Sequence, residues 1–394
     1  MKAHRTHNGQ RFSTSALQAG ANRRTRRTHD VIVVGAGAAG IGVAVALLHA
    51  GVDDLLVIDR HDVGASFQRW PQQMRFITPS FPTNSVGMLD LNSIAIGTSP
   101  AYSLQVEHPT GAAYAEYLQG VARHFELPLV IGKEVHSLVR EAEGFAIKAR
   151  ADTLYARHVV WAAGEFQYPL LSPFPGAEHC LHNSHVKSWR KVAGREVIVI
   201  GGNESGMDAA IHLARLGKKV LVLDRSAPWK SEDSDPSLSL STFTTERLQS
   251  EDVLPRIKFV SNAEVREVRR RRGMLEVVCK SGRTFRTPSP PILATGFRSS
   301  VKLIAQMFEE REDGLPLLSE YDESTVTPGL FLAGPMVRHE KHAFCFIYKF
   351  RQRFAVVAKA IADRLGLPAE QLELYRQWGM YLDDLSCCGQ ACVC

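Results

Sequence analysis

The chain has no long apolar run. No stretch of its 394 residues approaches the roughly 18 apolar residues that a helix needs to span a bilayer. We therefore expect no membrane-spanning segment and a cytoplasmic protein. Residues 1–29 also lack an apolar centre, and this absence excludes a secretory signal.

Beyond residue 29 the chain has no excess of charge of either sign. Residues 1–29 hold seven of the 47 Lys and Arg and no acid, so 40 basic side chains face 41 acidic ones in the remainder. The net charge of +6 thus comes from this basic leader, which fits either a disordered tail or an organellar transit peptide. Another basic run, Arg269–Arg272, precedes Gly273 between strand-like segments, which predicts a solvated hairpin tip rather than a nucleic-acid site.

The chain does contain the pattern Gly-x-Gly-x-x-Gly between an apolar strand and a helical run. This first glycine fingerprint comprises Gly35, Gly37 and Gly40, and the following strand ends at Asp59. The first glycine permits a tight turn, the second lets the backbone approach a pyrophosphate, and the third lets helix and strand pack closely. An acidic residue about 20 positions further on binds ribose hydroxyls, and Asp59 stands 19 residues after Gly40. The pattern predicts a dinucleotide site.

A second glycine fingerprint begins with Gly201 and Gly202 and ends with Gly206. Asn203 occupies the position of the middle glycine. Its side chain must therefore turn away from the dinucleotide or form a hydrogen bond with it. The strand–helix–strand context still indicates a nucleotide site.

The residues around the second strand of this unit bear on which nicotinamide nucleotide binds. Asp224 favours an unphosphorylated ribose, whereas Arg225 could pair with a 2′-phosphate. Lys218, Lys219 and Lys230 add positive charge nearby. We favour NADPH, with NADH as the alternative.

The two fingerprints divide the chain into a repeated order of elements. Each is followed by short strands, and a buried strand at 329–334 returns the chain to the first unit. The predicted fold class is α/β, with two Rossmann-like dinucleotide-binding domains, the second inserted in the first, each carrying a small β-meander. The predicted segments are the basic leader (1–29), the FAD-binding domain in two parts (30–165 and 291–365), the inserted NAD(P)H-binding domain (166–290), and a C-terminal helix with a cysteine-rich tail (366–394). Elements predicted within them include a strand at 153–155 and helices at 343–361 and 370–384.

From Asp30 to Leu365 the chain resembles the two-dinucleotide flavoprotein superfamily of thioredoxin reductases and flavin-containing monooxygenases. Residues 70–76 and 201–210 are most similar to bacillithiol disulfide reductases and related monooxygenase-like flavoproteins. The resemblance implies FAD and NAD(P)H as cofactors, with hydride passing from nicotinamide to flavin. It implies FAD contacts at Gly35, Gly37, Gly40, Asp59, Trp70, Met74 and Gly334, NAD(P)H contacts at Gly201, Gly202, Asn203, Ser205 and Arg225, and further cofactor contacts at Arg60, Ala163, Gly164 and Gly296.

The sequence indicates the electron acceptor less clearly than the two cofactors. No Cys-x-x-Cys or Cys-x4-Cys pair lies beside either fingerprint, and the position that is cysteine in bacillithiol disulfide reductases is Ala39. Instead, four of the seven cysteines stand in the last eight residues. This cysteine tail consists of Cys387, Cys388, Cys392 and Cys394. It resembles the carboxyl-terminal tail of mercuric reductases, which implies either a thiol relay or a soft-metal ligand set.

Two further residues are candidates for catalysis. Cys345 stands at the start of the helical run that follows Gly334. The resemblance implies that this helix points its positive end at the flavin, so the thiol would have a lowered pKa and could attack a disulfide or form a flavin adduct. An inert buried cysteine is the alternative. His342 is a candidate proton donor.

The sequence thus predicts an FAD-dependent NAD(P)H oxidoreductase. We expect a homodimer that reduces a disulfide, thiol-bound or thiophilic substrate, whether a small molecule or a small protein, through the cysteine tail. One alternative is a flavin-containing monooxygenase, although Phe174, Gly176, His182 and Trp189 are spaced more widely than its Phe-x-Gly-x3-His-x3-Trp or Tyr pattern. The other alternative is a flavoprotein that carries a metal ion.

Overall fold

The computed structural model describes residues 27–83, 87–150, 152–233, 235 and 237–386. Within these ranges, no helix combines the length and the apolar character needed to cross a membrane. The cysteine tail and most of the basic leader lie outside them. Thr28 and His29 already belong to the first strand, because they pair with Tyr155 and Ala156. His29 Nδ1 also lies 2.7 Å from Asp54 Oδ1. The leader boundary predicted at residue 29 is therefore two residues late.

The first domain is built on a sheet whose strands follow the order β3-β2-β1-β6-β5-β4. Its elements are β1 (Thr28–Val34), α1 (Ala38–His49), β2 (Leu55–Asp59), α2 (Ala65–Gln68), α3 (Pro100–Leu104), α4 (Gly111–His124), β3 (Leu129–Ile131), β4 (Val135–Glu141), β5 (Gly144–Ala149) and β6 (Thr153–Trp161). Strands β3, β2, β1 and β6 pair in parallel. Helix α1 is apolar on every face and almost wholly buried, as expected of a helix packed on several sides.

The first meander differs from the prediction. The strand predicted at 153–155 is the first third of β6, which runs on to Trp161 without a break. Its residues 153–156 pair antiparallel with β5, while residues 155–161 pair in parallel with β1. The meander β4–β5–β6 is therefore fused to the parallel sheet.

The inserted domain contains a second parallel sheet of order β10-β9-β8-β14-β7, and a separate antiparallel sheet, β11-β12-β13. Its elements are β7 (Leu181–His182), β8 (Glu196–Ile200), α5 (Glu204–Arg215), β9 (Lys219–Leu223), α6 (Thr242–Gln249), β10 (Ile257–Val260), β11 (Val265–Arg271), β12 (Met274–Cys279), β13 (Thr284–Thr287) and β14 (Ile292–Leu293). Because β14 pairs with β7 and β8, the boundary predicted at 290/291 falls before the last strand of this sheet.

The chain then returns to the first domain, where β15 pairs in parallel with β6. The returning elements are β15 (Leu330–Leu332), β16 (Arg338–His339), β17 (His342–Ala343), α7 (Ile347–Phe350), α8 (Phe354–Leu365) and α9 (Glu373–Gln377). This topology confirms the predicted fold class, with the second domain inserted in the first.

Two predicted helices are shorter than expected. The helix at 343–361 begins only at Ile347, because the preceding residues form the β16–β17 hairpin, and a 3-10 turn at 351–353 separates α7 from α8. The helix at 370–384 ends at Gln377, and Gly379 follows with a φ of +62°. Arg376 reaches past this turn to Asp383, 2.6 Å away, and holds the segment beyond the helix.

Candidate active site

A cavity of about 360 Å³ lies between the two domains. The first domain contributes Gly35, Gly37 and Ala39 to its wall, and the inserted domain contributes Ser205 and Asp208. Both helices that follow the fingerprints begin at this wall. One cavity therefore reaches the N-termini of both helices. Its remaining lining includes the predicted residues Asp59, Trp70, Met74, Ala163, Gly164 and Cys345.

The first fingerprint fits a dinucleotide. A Cβ added to Gly37 would meet no atom within 4 Å, so the backbone faces open space at the cavity. Helix α1 begins at the next residue, and a helix N-terminus favours phosphate. Asp59 is held in place because its two carboxylate oxygens accept hydrogen bonds from the backbone N–H groups of Ala36 (2.8 Å) and His61 (2.7 Å).

A second cavity of about 160 Å³ adjoins the first at Gly35 and Asp59. Arg60 lies in its wall and donates two hydrogen bonds to Gln167 Oε1, at 2.9 and 3.2 Å. The Arg60 guanidinium also lies 5.1 Å from the ring centroid of Tyr168. This space beyond the fingerprint suits the nucleoside end of a dinucleotide.

The second fingerprint has the same geometry as the first. Asp224 Oδ2 accepts a hydrogen bond from Gly202 N at 2.8 Å, as Asp59 does from Ala36. Asn203 has φ −80° and ψ −173°, close to the −85° and −170° of Gly37. Because any residue adopts this extended conformation, asparagine costs no backbone strain at the middle position.

Glu204 places a carboxylate in the first turn of α5, where an incoming phosphate would be repelled. Its oxygens are instead occupied by the backbone N–H of Ser241 (2.5 Å) and the hydroxyl of Thr244 (2.6 Å). The side chain thereby stabilises the N-terminus of α6. This engagement makes the fingerprint compatible with a dinucleotide despite the acid.

The expected basic cluster around Arg225 is only partly present. Lys218 and Lys219 lie at the beginning of β9, whereas Arg225 follows its end, so the two lysines were wrongly placed near the ribose. Lys218 donates to the Gly194 carbonyl, and Lys219 lies 3.5 Å from Glu196. The preference for a 2′-phosphate then depends on Arg225 and Lys230, which are both exposed.

Aromatic rings form an apolar wall of the cavity. Trp70 lies with its ring centroid 5.0 Å from Phe76 and 6.4 Å from Phe166, and Phe166 lies 5.2 Å from Phe297. Phe297 comes from the inserted part of the chain, so this wall crosses from one domain to the other. It gives the cavity an apolar surface on both sides of the domain boundary.

Cys345 lies in the cavity wall, two residues before α7 rather than inside a helix. Its Sγ is 3.1 Å from the hydroxyl of Ser237, which also accepts a hydrogen bond from Lys349 Nζ at 2.9 Å. Lys349 pairs in turn with Asp235 at 2.7 Å. A thiol of the first domain is thus tied to a loop of the inserted domain. The two residues are 108 positions apart, and no sequence pattern predicts their contact.

Other predicted residues lie outside the cavity wall. His342 does not line it, and the structure places it in β17. Gly296 and Gly334 stand one residue before the lining residues Phe297 and Pro335. Gly40, Gly201, Gly202, Asn203 and Arg225 do not line it either.

The remaining described cysteines do not join the cavity. Cys180, Cys279 and Cys345 are all free thiols. Burial raises the pKa of Cys180 to about 12, which keeps this thiol protonated. Within the described ranges, no group of His, Cys, Asp or Glu side chains could hold a metal ion, and the cysteine tail lies beyond them.

The polar residues of the wall that sequence reasoning missed include Glu165, Asn183 and Asp208. Burial raises the pKa of Glu165, with a nearby charge on Arg338 opposing the shift. Asn183 and Asp208 are 1% and 4% exposed. Asn183 stands in an irregular segment, where no sequence pattern points to it. The signal missed for Asp208 was its place in the second turn of α5.

The edge of the site contains a histidine whose neutral form is required by its contacts. Ser184 N donates to His182 Nδ1 at 3.2 Å, so Nε2 carries the proton and donates to the Gly296 carbonyl at 3.1 Å. Burial lowers the pKa of His182. The unfolded chain, whose histidines titrate near 6.5, then takes up this proton first as the pH falls.

We therefore expect stability to decline between about pH 7 and pH 5, because the contribution of His182 is complete above the unfolded pKa and is lost on acidification. The H182Q variant has no titratable group at this position. Its melting temperature should therefore fall less than that of the wild type over the same pH range. Thermal unfolding at several pH values measures this difference. Equal losses in both proteins would contradict the role given to His182.

Two Rossmann-like domains, each with a glycine fingerprint, meet at one cavity, which is the arrangement expected of an oxidoreductase with two dinucleotide cofactors. The pyridine nucleotide-disulphide oxidoreductase family matches residues 32–334, and the chain belongs to this family. Flavin and nicotinamide nucleotides are the cofactor classes that its family and its two fingerprints support.

Similar proteins include both reductases and monooxygenases. The uncharacterized oxidoreductase CzcO of Bacillus velezensis is 28% identical over 191 residues, which cover 48% of this chain and 52% of that protein. Bacillithiol disulfide reductase Bdr from Staphylococcus aureus has a TM-score of 0.71 at 20% identity, covering 86% of this chain and 99% of that one. A flavin-containing monooxygenase from Stenotrophomonas maltophilia has a TM-score of 0.68 at 18% identity, with the same coverage. The chain spans about half the length of CzcO and of other curated oxidoreductases that it matches. These structures establish a shared fold.

Proposed function

We propose that the protein is an FAD-dependent NAD(P)H oxidoreductase that reduces a disulfide, thiol-bound or thiophilic substrate. The observation that carries the proposal is a single cavity lined by both fingerprint helices and by the thiol of Cys345. Gly35, Gly37, Asp59 and Arg60 would hold FAD, and Gly202, Asn203, Ser205 and Arg225 would hold the nicotinamide nucleotide, with NADPH favoured. Bound FAD would accept a hydride from the nicotinamide and pass two electrons onward.

The thiols are the proposed route to the substrate. Two thiolates of the cysteine tail would break a substrate disulfide, releasing two substrate thiols and forming one tail disulfide, which two electrons from the nicotinamide nucleotide would reduce again. Cys345 would contact the reacting sulfur atoms from the cavity wall, where Ser237 and Lys349 orient its own sulfur. If the substrate is thiophilic, the cysteine tail would instead bind a soft metal ion. The homodimer and the cytoplasmic location stay predictions.

The test is anaerobic reduction by NADPH followed by addition of a disulfide, with flavin absorbance as the readout. We expect the wild type to reoxidise on a low-molecular-weight disulfide. A chain ending at Ser386 should be reduced by NADPH at the wild-type rate but should lose at least about 100-fold in disulfide turnover, as expected when a nucleophile is removed. Unchanged disulfide turnover in that truncated chain would contradict the role of the tail.

A monooxygenase is the second candidate. The observation that favours it is His185, which stands four residues before the fully buried Trp189 and so provides the His-x3-Trp spacing that His182 lacks. In addition, Cys345 is the one cysteine of the cavity wall among the described residues. Admitting oxygen to the NADPH-reduced protein together with a sulfur or nitrogen nucleophile distinguishes the two. Stoichiometric oxygenation of the nucleophile would replace the reductase proposal.

A further inference from the structure

Glu165 is the one acidic side chain of the cavity wall without a hydrogen-bond or ion-pair partner among the described residues. The other acids of the wall are all engaged. Asp59 and Glu204 accept hydrogen bonds from backbone N–H groups, and Asp208 lies 3.1 Å from Arg247 Nη1. These contacts stabilise the charged form of each of these groups. Glu165 has no such direct contact.

The backbone around Glu165 fixes its place at the cavity. Its carbonyl accepts a hydrogen bond from Tyr168 N at 2.7 Å, and the carbonyl of Gly164 accepts one from Ser300 N at 3.0 Å. The next residue, Phe166, belongs to the aromatic wall. The half-buried carboxyl is therefore kept beside apolar rings and in contact with the cavity.

These surroundings favour the protonated form of Glu165. Burial raises the pKa of Glu165, and among the described residues the positive charge of Arg338 alone opposes this shift. The guanidinium of Arg338 is itself held by the carbonyls of Pro335 and Val337, each 2.7 Å from Nη1. A carboxyl in such a place keeps its proton to a higher pH than usual, which is the state that a general acid requires.

Arg338 also indicates which part of the cavity Glu165 faces. In the β16–β17 hairpin Arg338 is paired with Ala343, and Cys345 follows two residues later in the cavity wall. Pro335, which precedes the hairpin, lines the same cavity. The carboxyl of Glu165 and the thiol of Cys345 therefore border the cavity on the side of this hairpin.

Reduction of a disulfide needs a proton donor at such a place. Overall, NADPH, one disulfide and one proton give NADP⁺ and two thiols. When a thiolate of the enzyme attacks the substrate disulfide, a new sulfur–sulfur bond forms, the old one breaks, and one substrate sulfur leaves with the electron pair. An aliphatic thiolate leaves slowly because its thiol has a high pKa, and a proton delivered as the bond breaks speeds this step.

We propose that Glu165 is the general acid of the reaction, and that its carboxyl gives its proton to the substrate sulfur that leaves. The Glu165 carboxylate then regains a proton from solvent through the cavity. The inference rests on the proposed function, because it requires that a disulfide substrate react in this cavity. It adds a second catalytic group to the thiols, and it predicts that the enzyme favours aliphatic disulfides, whose leaving groups need a proton.

Two neutral disulfides test the role of Glu165 in the flavin-loaded protein. Bis(hydroxyethyl) disulfide releases an aliphatic thiolate, whereas a dipyridyl disulfide releases a thiolate that is stabilised as a thione and needs no acid. Anaerobic oxidation of NADPH measures both. E165Q should lose about 100-fold in turnover of the aliphatic disulfide, as expected when a general acid is removed. Its turnover of the dipyridyl disulfide should stay within about threefold of the wild type, because a good leaving group departs without a proton.

The pH profile provides a second readout, which does not depend on the variant. In the wild type, turnover of the aliphatic disulfide should fall as the pH rises through the raised pKa of Glu165, because the acid is then deprotonated. Turnover of the dipyridyl disulfide should not fall there. E165Q should lack the decline, and E165D, which keeps an acid, should restore it.

The matched control is E116Q, which removes an exposed acid of the same domain and should change neither rate. Flavin content and melting temperature report whether each variant is folded. If the wild type oxidises NADPH with neither disulfide, the proposed function itself fails. If the wild type reduces both and E165Q loses both equally or neither, Glu165 is not the acid, while the proposed function stands. The same pH profile for both disulfides in the wild type would also overturn the inference.

Discussion

Replacing Gly40 with alanine should prevent the first domain from folding. A Cβ at this position would lie 1.7 Å from the carbonyl oxygen of Gly35 and 2.8 Å from its carbonyl carbon. Both are backbone atoms of the tight turn between β1 and α1, so a rotamer change cannot relieve the clash. We expect a loss of more than about 4 kcal/mol in the free energy of unfolding, the range of severe overpacking and strain. The measurement is the yield of soluble, flavin-containing protein together with its chemical denaturation.

Gly37 provides the matched control for this variant. It lies in the same fingerprint, but an added Cβ meets nothing within 4 Å and the φ of −85° suits any residue. G37A should therefore fold with near-normal stability. Its methyl group would intrude on the space that faces the cavity, so we expect it to bind flavin more weakly. Equal stability of G40A and G37A would show that the close contact between helix and turn does not limit folding.

Replacing Asp322 with asparagine should destabilise the returning segment by about 3 to 5 kcal/mol, the usual cost of removing one partner of a buried ion pair. Asp322 is fully buried, and Arg353, which is 2% exposed, donates hydrogen bonds to both of its oxygens at 2.8 to 3.2 Å. His339 Nε2 lies 2.5 Å from Asp322 Oδ1 as well. The φ of +60° at Asp322 is one that asparagine tolerates, so the substitution removes charge without adding strain.

The control is D363N, which breaks the ion pair between Lys359 and Asp363. This pair is exposed, with a nitrogen–oxygen distance of 2.6 Å, and its loss should cost less than about 0.5 kcal/mol. Denaturant unfolding of the flavin-loaded protein, followed by two probes, gives both values. A D322N variant as stable as D363N would show that Arg353 finds other partners when the carboxylate is neutralised.

The two fingerprint units were predictable because their information is local. Glycine spacing, the apolar strands around it and the acid at the end of the next strand all lie within about 25 residues, the reach of a single strand–helix–strand unit. The corresponding hydrogen bonds, from Ala36 to Asp59 and from Gly202 to Asp224, are present in both domains. The same local argument failed for Lys218 and Lys219. They are close to Asp224 in sequence, but strand β9 separates them from it, so they lie at the opposite end of that strand.

The sequence alone determined the fold class, the insertion of one Rossmann-like domain in the other and the two fingerprints, since backbone sterics and hydrophobic pattern act over short stretches of chain. Only the tertiary structure brought Cys345 to Ser237 and Lys349, and Asn183 to the same cavity as Asp208. These groups come from distant segments, and their meeting depends on how the sheets and loops of two domains pack. Burial and unpaired hydrogen-bonding atoms are properties of that packing, so no residue pattern could have shown them.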